Sequence, residues 1–549
     1  MKGSKILIET LIEQGVDTVF GYPGGFVLDI FDELYLAKDR IRQILTCHEQ
    51  GAAHAADAYA RASGRTGVVI ATSGPGATNL VTGIANAYMD SVPMVAITGN
   101  VPLNFLGRDS FQEVDITGVT MPVTKHNYIV KDIAELADTV REAFQIAQSG
   151  RPGPVLVDIP KNVQQADFVF APQAAREQKK HKPADEKQIK AAAELINKAQ
   201  RPMIYCGGGI IISGASKELI EFAEKIDCPV ASSMMGLGGF PASHQLFMGL
   251  IGMHGMAGVA KSIAQCDLLI VMGARFSDRV AGDRLGFAKQ ADIVHIDIDN
   301  AEINKNVNCK AYIMADVKTA LQQLIKEIKA VKRPEWRKHT AELTARHPLK
   351  EGRPQKIIKT LNRLCPPGQI IATDVGQHQM WTVQTYKFQN PRTLLSSGGL
   401  GTMGFGMGAA IGGAIASGRQ IALITGDGSF HMNMNEVVTA VVYKLPIVIL
   451  VFNNNALGMV RQWQKLFYAR RFSSTTLDRP TDYVKLAEAF GAKGMRIEND
   501  GEIESVLKDA LAHKSGPVIV DCVLSPDDNV VPMIPAGKSA DDIIMEMEG

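Results

Sequence analysis

Three doubly wound α/β domains, each a parallel sheet covered by helices, are what this 549-residue sequence predicts, on three observations. Short apolar runs that end in Gly, Asp or Asn alternate with helical stretches along the whole chain. The first and last parts of the chain resemble each other. Two stretches rich in charge and proline interrupt the alternation.

The expected strands, in chain order, are Gly67–Thr72, Met94–Thr98, Val155–Ile159, Met203–Cys206, Leu268–Met272, Ile293–Ile298, Ile370–Thr373, Ile421–Thr425, Ile447–Phe452 and Val518–Val523. They read as continuous apolar runs because a strand of a parallel sheet is covered on both faces. Around Glu177–Lys187 and Lys329–Gln355 apolar periodicity lapses, so residues 166–185 and 329–354 are expected linkers. The domains are then 1–165, 186–328 and 355–549.

The repeat is visible in three places. Ala-Ser-Gly-Arg occurs at 62 and 416, a glycine turn opens at 73 and 425, and an apolar run closes on Asn100 and Asn453, separations of 354, 352 and 353 residues. Such steady offsets indicate a duplicated domain, and paired α/β domains commonly hold a ligand at the carboxyl ends of their strands. The copies differ where chemistry needs it, with Pro75 in one and Asp427 in the other.

Composition excludes several classes. Lys+Arg (58) nearly balances Asp+Glu (57), and nothing in that balance suggests a nucleic-acid or acidic-membrane partner. Seven scattered cysteines without a CxxC pair argue against disulfides and zinc, and so for a reducing compartment. Met1–Glu13 reads as an amphipathic helix, and no run reaches the ~18–20 apolar residues of a membrane span. A cytoplasmic protein is expected.

The third block holds Gly426-Asp427-Gly428-Ser429 after one expected strand and Asn453-Asn454-Asn455 after the next. Alone, the first is a sharp turn and the second a helix cap. Together, Asp427 and Asn454 lie 27 residues apart, a helix plus a strand, which returns both to one sheet edge. The glycines admit a phosphate, while Asp427, the Asn454 side-chain oxygen and the carbonyl near Ala456 suit a Mg2+-type cation. This pairing is the thiamine-diphosphate signature. Gly399-Leu400-Gly401-Thr402-Met403-Gly404 matches GxGxxG, but without a clear preceding strand or a following acid it is not a dinucleotide fingerprint.

In the first block Glu49 opens a helical run at Cys47-His48-Glu49-Gln50-Gly51. A glutamate there favours the helix dipole. Thiamine chemistry also needs a carboxyl facing the aminopyrimidine ring, and a glutamate in the duplicate domain meets that need. His48, His254 and His378 are pocket neighbours.

These motifs resemble the catalytic subunit of acetohydroxyacid synthase, also called acetolactate synthase. The likeness runs through Phe20-Gly21-Tyr22-Pro23-Gly24-Gly25, the Glu49 motif, Thr72–Gly76, Phe111–Asp115, Gly150–Pro154, Val375–Trp381, the Met403 run, Met459–Gln464 and the tail near Pro535. The resemblance implies decarboxylation of pyruvate and ligation of the two-carbon remainder to pyruvate or 2-ketobutyrate. It makes Glu49 the catalytic acid. Gln377, His378, Met403, Gly426, Asp427, Gly428, Ser429, Asn454, Leu457, Gly458 and Met459 would bind thiamine diphosphate, with Mg2+ on Asp427, Asn454 and Ala456. Arg275, Trp463, Phe111, Gln112, Lys161, Met459 and Val460 would meet substrate, Trp463 favouring 2-ketobutyrate and Arg275 reaching the acceptor carboxylate.

The middle block is similar to the family's Rossmann-like FAD domain. Arg151, Gly207, Gly208, Gly209, Gly252, Met253, His254, Gly273, Ala274, Arg275, Asp278, Arg279, Val280, Asp297, Ile298, Asp316 and Val317 would contact a flavin with no net redox part. Ser277 and Asn162 depart from the pattern, standing where acids are expected. The resemblance further implies a homodimer or dimer of dimers and a small regulatory subunit. Neighbouring readings are pyruvate oxidase and a flavin-free catabolic acetolactate synthase.

Overall fold

The computed structural model describes residues 1–174, 182–284 and 286–547, so 175–181 of the expected first linker lies outside the described residues. Three six-stranded parallel sheets follow one another along the chain. The first comprises β1 (Thr18–Tyr22), β2 (Arg42–Leu45), β3 (Gly67–Ala71), β4 (Met94–Asn100), β5 (His126–Ile129) and β6 (Pro154–Pro160), in the order β2-β1-β3-β4-β6-β5. The second comprises β7 (Pro202–Cys206), β8 (Val230–Ser232), β9 (Phe247–Leu250), β10 (Leu268–Met272), β11 (Asp292–Asp297) and β12 (Ala311–Met314), in the order β12-β11-β10-β7-β8-β9. The third comprises β13 (Ile370–Thr373), β14 (Leu394–Leu395), β15 (Ile421–Gly426), β16 (Ile447–Asn453), β17 (Lys493–Ile497) and β18 (Val518–Val523), in the order β14-β13-β15-β16-β18-β17.

The first and third orders are identical once each sheet is counted from its own first strand. The duplication suggested by the sequence repeats is therefore one of topology. The middle sheet has the order 3-2-1-4-5-6, which places a switch point between β7 and β10, where ligands of open α/β sheets bind.

All ten expected strands form, and all lie inside their sheets or one place from an edge. The eight that the sequence did not announce are mostly outer strands. β2 (RQIL), β5 (HNYI), β12 (AYIM) and β17 (KGMRI) leave residues half-buried or exposed, whereas β3, β4, β6 and β15 are buried throughout. An outer strand has one open side and needs no continuous apolar run.

Residues 329–354 are not a bare connector. Pro334–Ala345 is a helix docked on the middle domain, where the buried Trp336 donates its indole N–H to the Pro202 carbonyl at 2.9 Å. The Arg333 guanidinium donates to the carbonyls of Ile196, Ala199 and Ile226, satisfying helix C-termini that burial would leave orphaned. Two apolar anchors, Trp336 and Leu343, suffice here, too few to show a helical period.

The first and third domains meet along two helices, Glu49–Ser63 and Phe405–Ser417, both rich in Ala and Gly. Side chains this small bring the backbones almost into contact. A Cβ on Gly412 would lie 2.0 Å from the Ala55 carbonyl oxygen, and one on Gly408 would lie 2.7 Å from that of Gly51. Gly412→Ala is therefore expected to destabilise by about 1–3 kcal/mol through overpacking. A thermal melt of that variant is expected to fall by several degrees, and an unchanged melting temperature would contradict this packing.

Candidate active site

Two hollows lie at the carboxyl edges of the second and third sheets. The smaller is a cleft formed where β13, β15 and β16 end, and its wall includes Gln377, His378, Met403, Gly426, Asp427, Gly428, Ser429, Asn454, Ala456, Leu457, Gly458 and Met459. Every residue expected to hold the diphosphate and the cation is in this wall, whereas Glu49, the expected catalytic acid, is not.

The geometry of the cleft follows from how the strands end. β15 runs out at Gly426, and Asp427 begins the next helix with its carboxylate buried. That burial pushes its carboxyl up to about 6, against the pull of the Gly428 and Asn455 N–H groups. A divalent cation offers the charge compensation that a buried carboxylate lacks. At the end of β16, Asn455 takes a left-handed conformation (φ 51°) between Asn454 and Ala456, both of which line the cleft. Asn454 Nδ2 donates to Gln377 Oε1 at 3.2 Å, which orients the amide, while its Oδ1 accepts the Ala456 N–H at 3.2 Å.

Gln377 is held in turn by donating to Gln462 Oε1 (3.1 Å) and to the Asp528 carbonyl (2.9 Å). His378 is buried beside it, and burial lowers its ring to about 3, so the imidazole is neutral. Its Nε2 has no protein partner, while the ring's other nitrogen is engaged with the Asp374 backbone. A Cβ on Gly458 would lie 1.9 Å from Gln377 Oε1, so a side chain there would displace the Gln377 amide. Helices Gln377–Thr385 and Gly458–Phe467 both begin at the cleft and present free N–H groups toward it.

The larger hollow, about 920 Å³, opens from the switch point of the middle sheet and reaches the third domain. Arg151, Gly208, Gly209, Met253, His254, Gly273, Ala274, Arg275, Asp278, Arg279, Val280, Asp297, Ile298, Asp316 and Val317 line it, as do Met459, Val460 and Trp463. Its volume accommodates a dinucleotide. The hollow and the cleft share Val375, Gly376, Met403, Met459 and Val460, so one apolar partition separates them.

Two expected flavin contacts are not in the wall. A Cβ on Gly207 would lie 2.3 Å from the Gly273 carbonyl oxygen, and Gly252, at φ 116°, abuts the Arg279 carbonyl. Both are glycines because the β7 and β10 loops, and the 252–255 loop, pack backbone against backbone. Arg151 is also partly committed elsewhere, donating to Ser91 Oγ (2.8 Å) and pairing with Asp299 and Glu302 (3.2 and 3.1 Å). His254 is buried and neutral, its ring lowered to about 4 by burial, and its Nδ1 lacks a partner. Arg279 lies over the Trp463 ring at 5.6 Å, which ties the middle domain to the expected acceptor pocket.

The GxGxxG run proves to be a structural loop. Asp90 accepts the Gly398 and Gly399 N–H groups (2.9 and 2.7 Å), and Asp374 accepts those of Gly404 and Gly406 (2.8 and 2.9 Å). Those amides are spoken for, and their role is to hold Met403 between cleft and hollow. Asp57, Arg61 and Asn86 complete the buried network behind Asp90, and Ser397 donates to Asn86 Oδ1 at 2.5 Å. No motif announced these residues; the available signal was charge within otherwise apolar helices.

Glu49 belongs to a second group, on the first domain. It is the first residue of its helix, and Asn79 Nδ2 donates to its Oε2 at 2.9 Å. Gly76 lies against Glu49 Oε1, and Gly74 lies against Gln112, which is itself left-handed (φ 59°). Lys161 donates to the Gly25 carbonyl at 2.8 Å, and Phe111 is 80% exposed. Within one chain, Glu49, Phe111, Gln112 and Lys161 line neither the cleft nor the hollow.

Comparison with known proteins agrees with this arrangement. The chain matches the thiamine pyrophosphate enzyme models for the N-terminal TPP binding domain over residues 1–119, the central domain over 189–324 and the C-terminal TPP binding domain over 374–522. A probable acetolactate synthase large subunit of Methanocaldococcus jannaschii is 46% identical, covering 99% of this chain and 95% of its own. The acetolactate synthase large subunit of Corynebacterium glutamicum is 45% identical (99% and 90% covered), and that of Porphyra purpurea 43% (98% and 94%). With such identity along nearly its whole length, and with the Asp427–Asn454 cleft intact, the chain belongs to the acetolactate synthase large-subunit family of thiamine pyrophosphate enzymes.

Proposed function

We propose that this protein removes carbon dioxide from pyruvate and joins the remaining two carbons to a second 2-keto acid, giving 2-acetolactate from pyruvate or 2-aceto-2-hydroxybutyrate from 2-ketobutyrate. One carbon–carbon bond of pyruvate breaks and carbon dioxide leaves. A new bond forms between the former carbonyl carbon of pyruvate and that of the acceptor, whose oxygen takes up a proton as a hydroxyl. The observation that carries this reading is that the Asp427–Asn454 cleft adjoins the hollow holding Trp463 and Arg275, the two sharing Met403, Met459 and Val460 as a common wall.

Bound thiamine diphosphate would supply a carbon acid within its cationic thiazolium ring, and that ring is the electron sink decarboxylation needs. The chain's residues do the rest. Asp427, Asn454 Oδ1 and the Ala456 carbonyl present hard oxygens suited to Mg2+, and the N–H groups that open helices Gln377–Thr385 and Gly458–Phe467 are donors for phosphate oxygens. Glu49, steadied by Asn79, holds the proton exchanged with the aminopyrimidine. Met403, Met459 and Val460 keep water from the reacting carbon. Arg275 binds the acceptor's carboxylate, Trp463 bounds its alkyl group, and Phe111, Gln112 and Lys161 line the approach. The larger hollow fits FAD in a non-redox role, given its volume, its switch-point position and the free His254 Nδ1.

The separation of Glu49 from the cleft within one chain supports a site completed by a second copy, hence a homodimer or dimer of dimers. Exposed Tyr22, Leu45 and Val442 flank the Glu49 segment and form an apolar surface suited to that contact. The large-subunit relatives support a small regulatory subunit as a further partner. Among the described residues no helix is long and apolar enough to cross a membrane.

The test is an assay with pyruvate alone and with added 2-ketobutyrate, together with an absorption spectrum. Both acetohydroxy acids and a flavin band are expected; oxygen uptake without acetolactate would overturn the reading. Trp463→Leu is expected to shift the product ratio toward acetolactate by roughly tenfold, the scale of one hydrophobic group in a specificity pocket. An unchanged ratio in a competition assay would remove Trp463 from the acceptor site.

A further inference from the structure

A carboxylate of the third domain grips the backbone beside Glu49. Glu436 opens the helix Glu436–Val442 and is fully buried. Its Oε1 accepts the N–H groups of Cys47 (3.1 Å) and His48 (3.0 Å), and its Oε2 accepts those of Cys47 (3.2 Å) and the Thr439 hydroxyl (2.6 Å). Gly51 completes the socket, since a Cβ there would lie 2.3 Å from Glu436 Oε1.

A buried carboxylate is costly, and its retention needs a return that packing alone does not supply. Burial raises the Glu436 carboxyl above its ordinary range, while Thr439 and the Cys47 and His48 N–H groups pull the other way. The two anchored residues immediately precede Glu49. On the far side Asn79 holds the Glu49 carboxylate at 2.9 Å. Glu49 thus sits between a backbone anchor and a side-chain anchor, and the backbone anchor comes from the domain that carries the cation cradle. Glu436 lies nine residues beyond Asp427, on the helix that follows the Asp427–Asn433 helix. An amide would not replace the carboxylate fully, because its NH2 group would face an N–H donor.

We propose that Glu436 is a positioning residue for Glu49, through which the cation-binding domain sets the direction of the catalytic carboxylate in its own chain. This rests on the reading that Glu49 activates thiamine diphosphate. With Cys47 and His48 released, the Glu49 helix start loses its register with Asn79, and a displacement of about 1 Å costs on the order of 100-fold in a proton-transfer step.

The test measures deuterium exchange at the thiazolium C2 of bound thiamine diphosphate, by rapid quench and NMR, in protein saturated with thiamine diphosphate, Mg2+ and FAD. Glu436→Ala is expected to slow exchange roughly 100-fold, with cofactor dissociation constants changed by less than about threefold, and Glu436→Gln is expected to fall between Ala and wild type. A purely structural role would instead weaken cofactor binding and leave exchange in the bound fraction untouched. Exchange within about twofold of wild type in Glu436→Ala would overturn the proposal. If that variant does not fold, Thr439→Val decides the question, since it removes one bond to Glu436: severalfold slower exchange supports the proposal and an unchanged rate overturns it. Glu49→Gln separates the two levels. Normal exchange there refutes the Glu49 reading itself, whereas slow exchange there with normal exchange in Glu436→Ala refutes only the positioning role.

Discussion

Replacing Glu49 by glutamine is expected to lower turnover roughly 100- to 10,000-fold, the usual contribution of one positioned acid–base group, while leaving the fold intact. The substitution is nearly isosteric, and a glutamine carbonyl can still accept from Asn79 Nδ2. Glu49 begins its helix, so the lost charge also removes a favourable dipole interaction of about 0.3–1 kcal/mol. That is small against the stability of three docked domains. Steady-state assay and thermal melting, run side by side, should therefore diverge: activity nearly abolished, melting temperature shifted by at most a few degrees. Normal turnover would remove Glu49 from the chemistry.

Asp427→Asn is expected to weaken Mg2+-dependent binding of thiamine diphosphate by at least about 100-fold, since loss even of an outer-sphere partner commonly costs 10- to 100-fold. The shape of the cleft survives, because an amide can accept the Gly428 and Asn455 N–H groups that now reach Asp427. What disappears is the negative charge that balances the cation. Trp381 lines the cleft, so a fluorescence titration reports binding directly. Unaltered affinity would place the cation elsewhere. Because Glu49 holds neither the diphosphate nor the cation, its own variant should bind Mg2+ and thiamine diphosphate more tightly than Asp427→Asn does.

Much of this architecture was legible in the sequence, for a physical reason. Strands covered on both faces must be apolar throughout, so most of each sheet's interior announced itself, though β1 and β8 did not, and the turns at Asp427 and Asn454 were marked by their paired spacing. Outer strands such as β5 and β17 carry no such constraint and went unseen. The helix Pro334–Ala345 hid behind its charges because it docks through only two large apolar side chains. Residues that act on the backbone of others were also invisible. Asp90, Asp374 and Glu436 spend their carboxylates on N–H groups that are distant in sequence, and nothing local distinguishes them from solvated acids. Gly207 and Gly252, expected beside the flavin, also pack closely against backbone. A glycine says that something comes near, not whether it is a ligand or the chain itself.

The central claim is that a carboxylate from one copy and a cation cradle from another close on the same cofactor, and subunit complementation tests it most directly. Two inactive chains, one carrying Glu49→Gln and the other Asp427→Asn, are co-expressed with different tags, and dimers containing one of each are isolated by tandem purification. If sites are shared between chains, one site in each such dimer combines an intact Glu49 with an intact Asp427, and about half of wild-type activity returns. Activity no greater than that of either parent variant would contradict the claim.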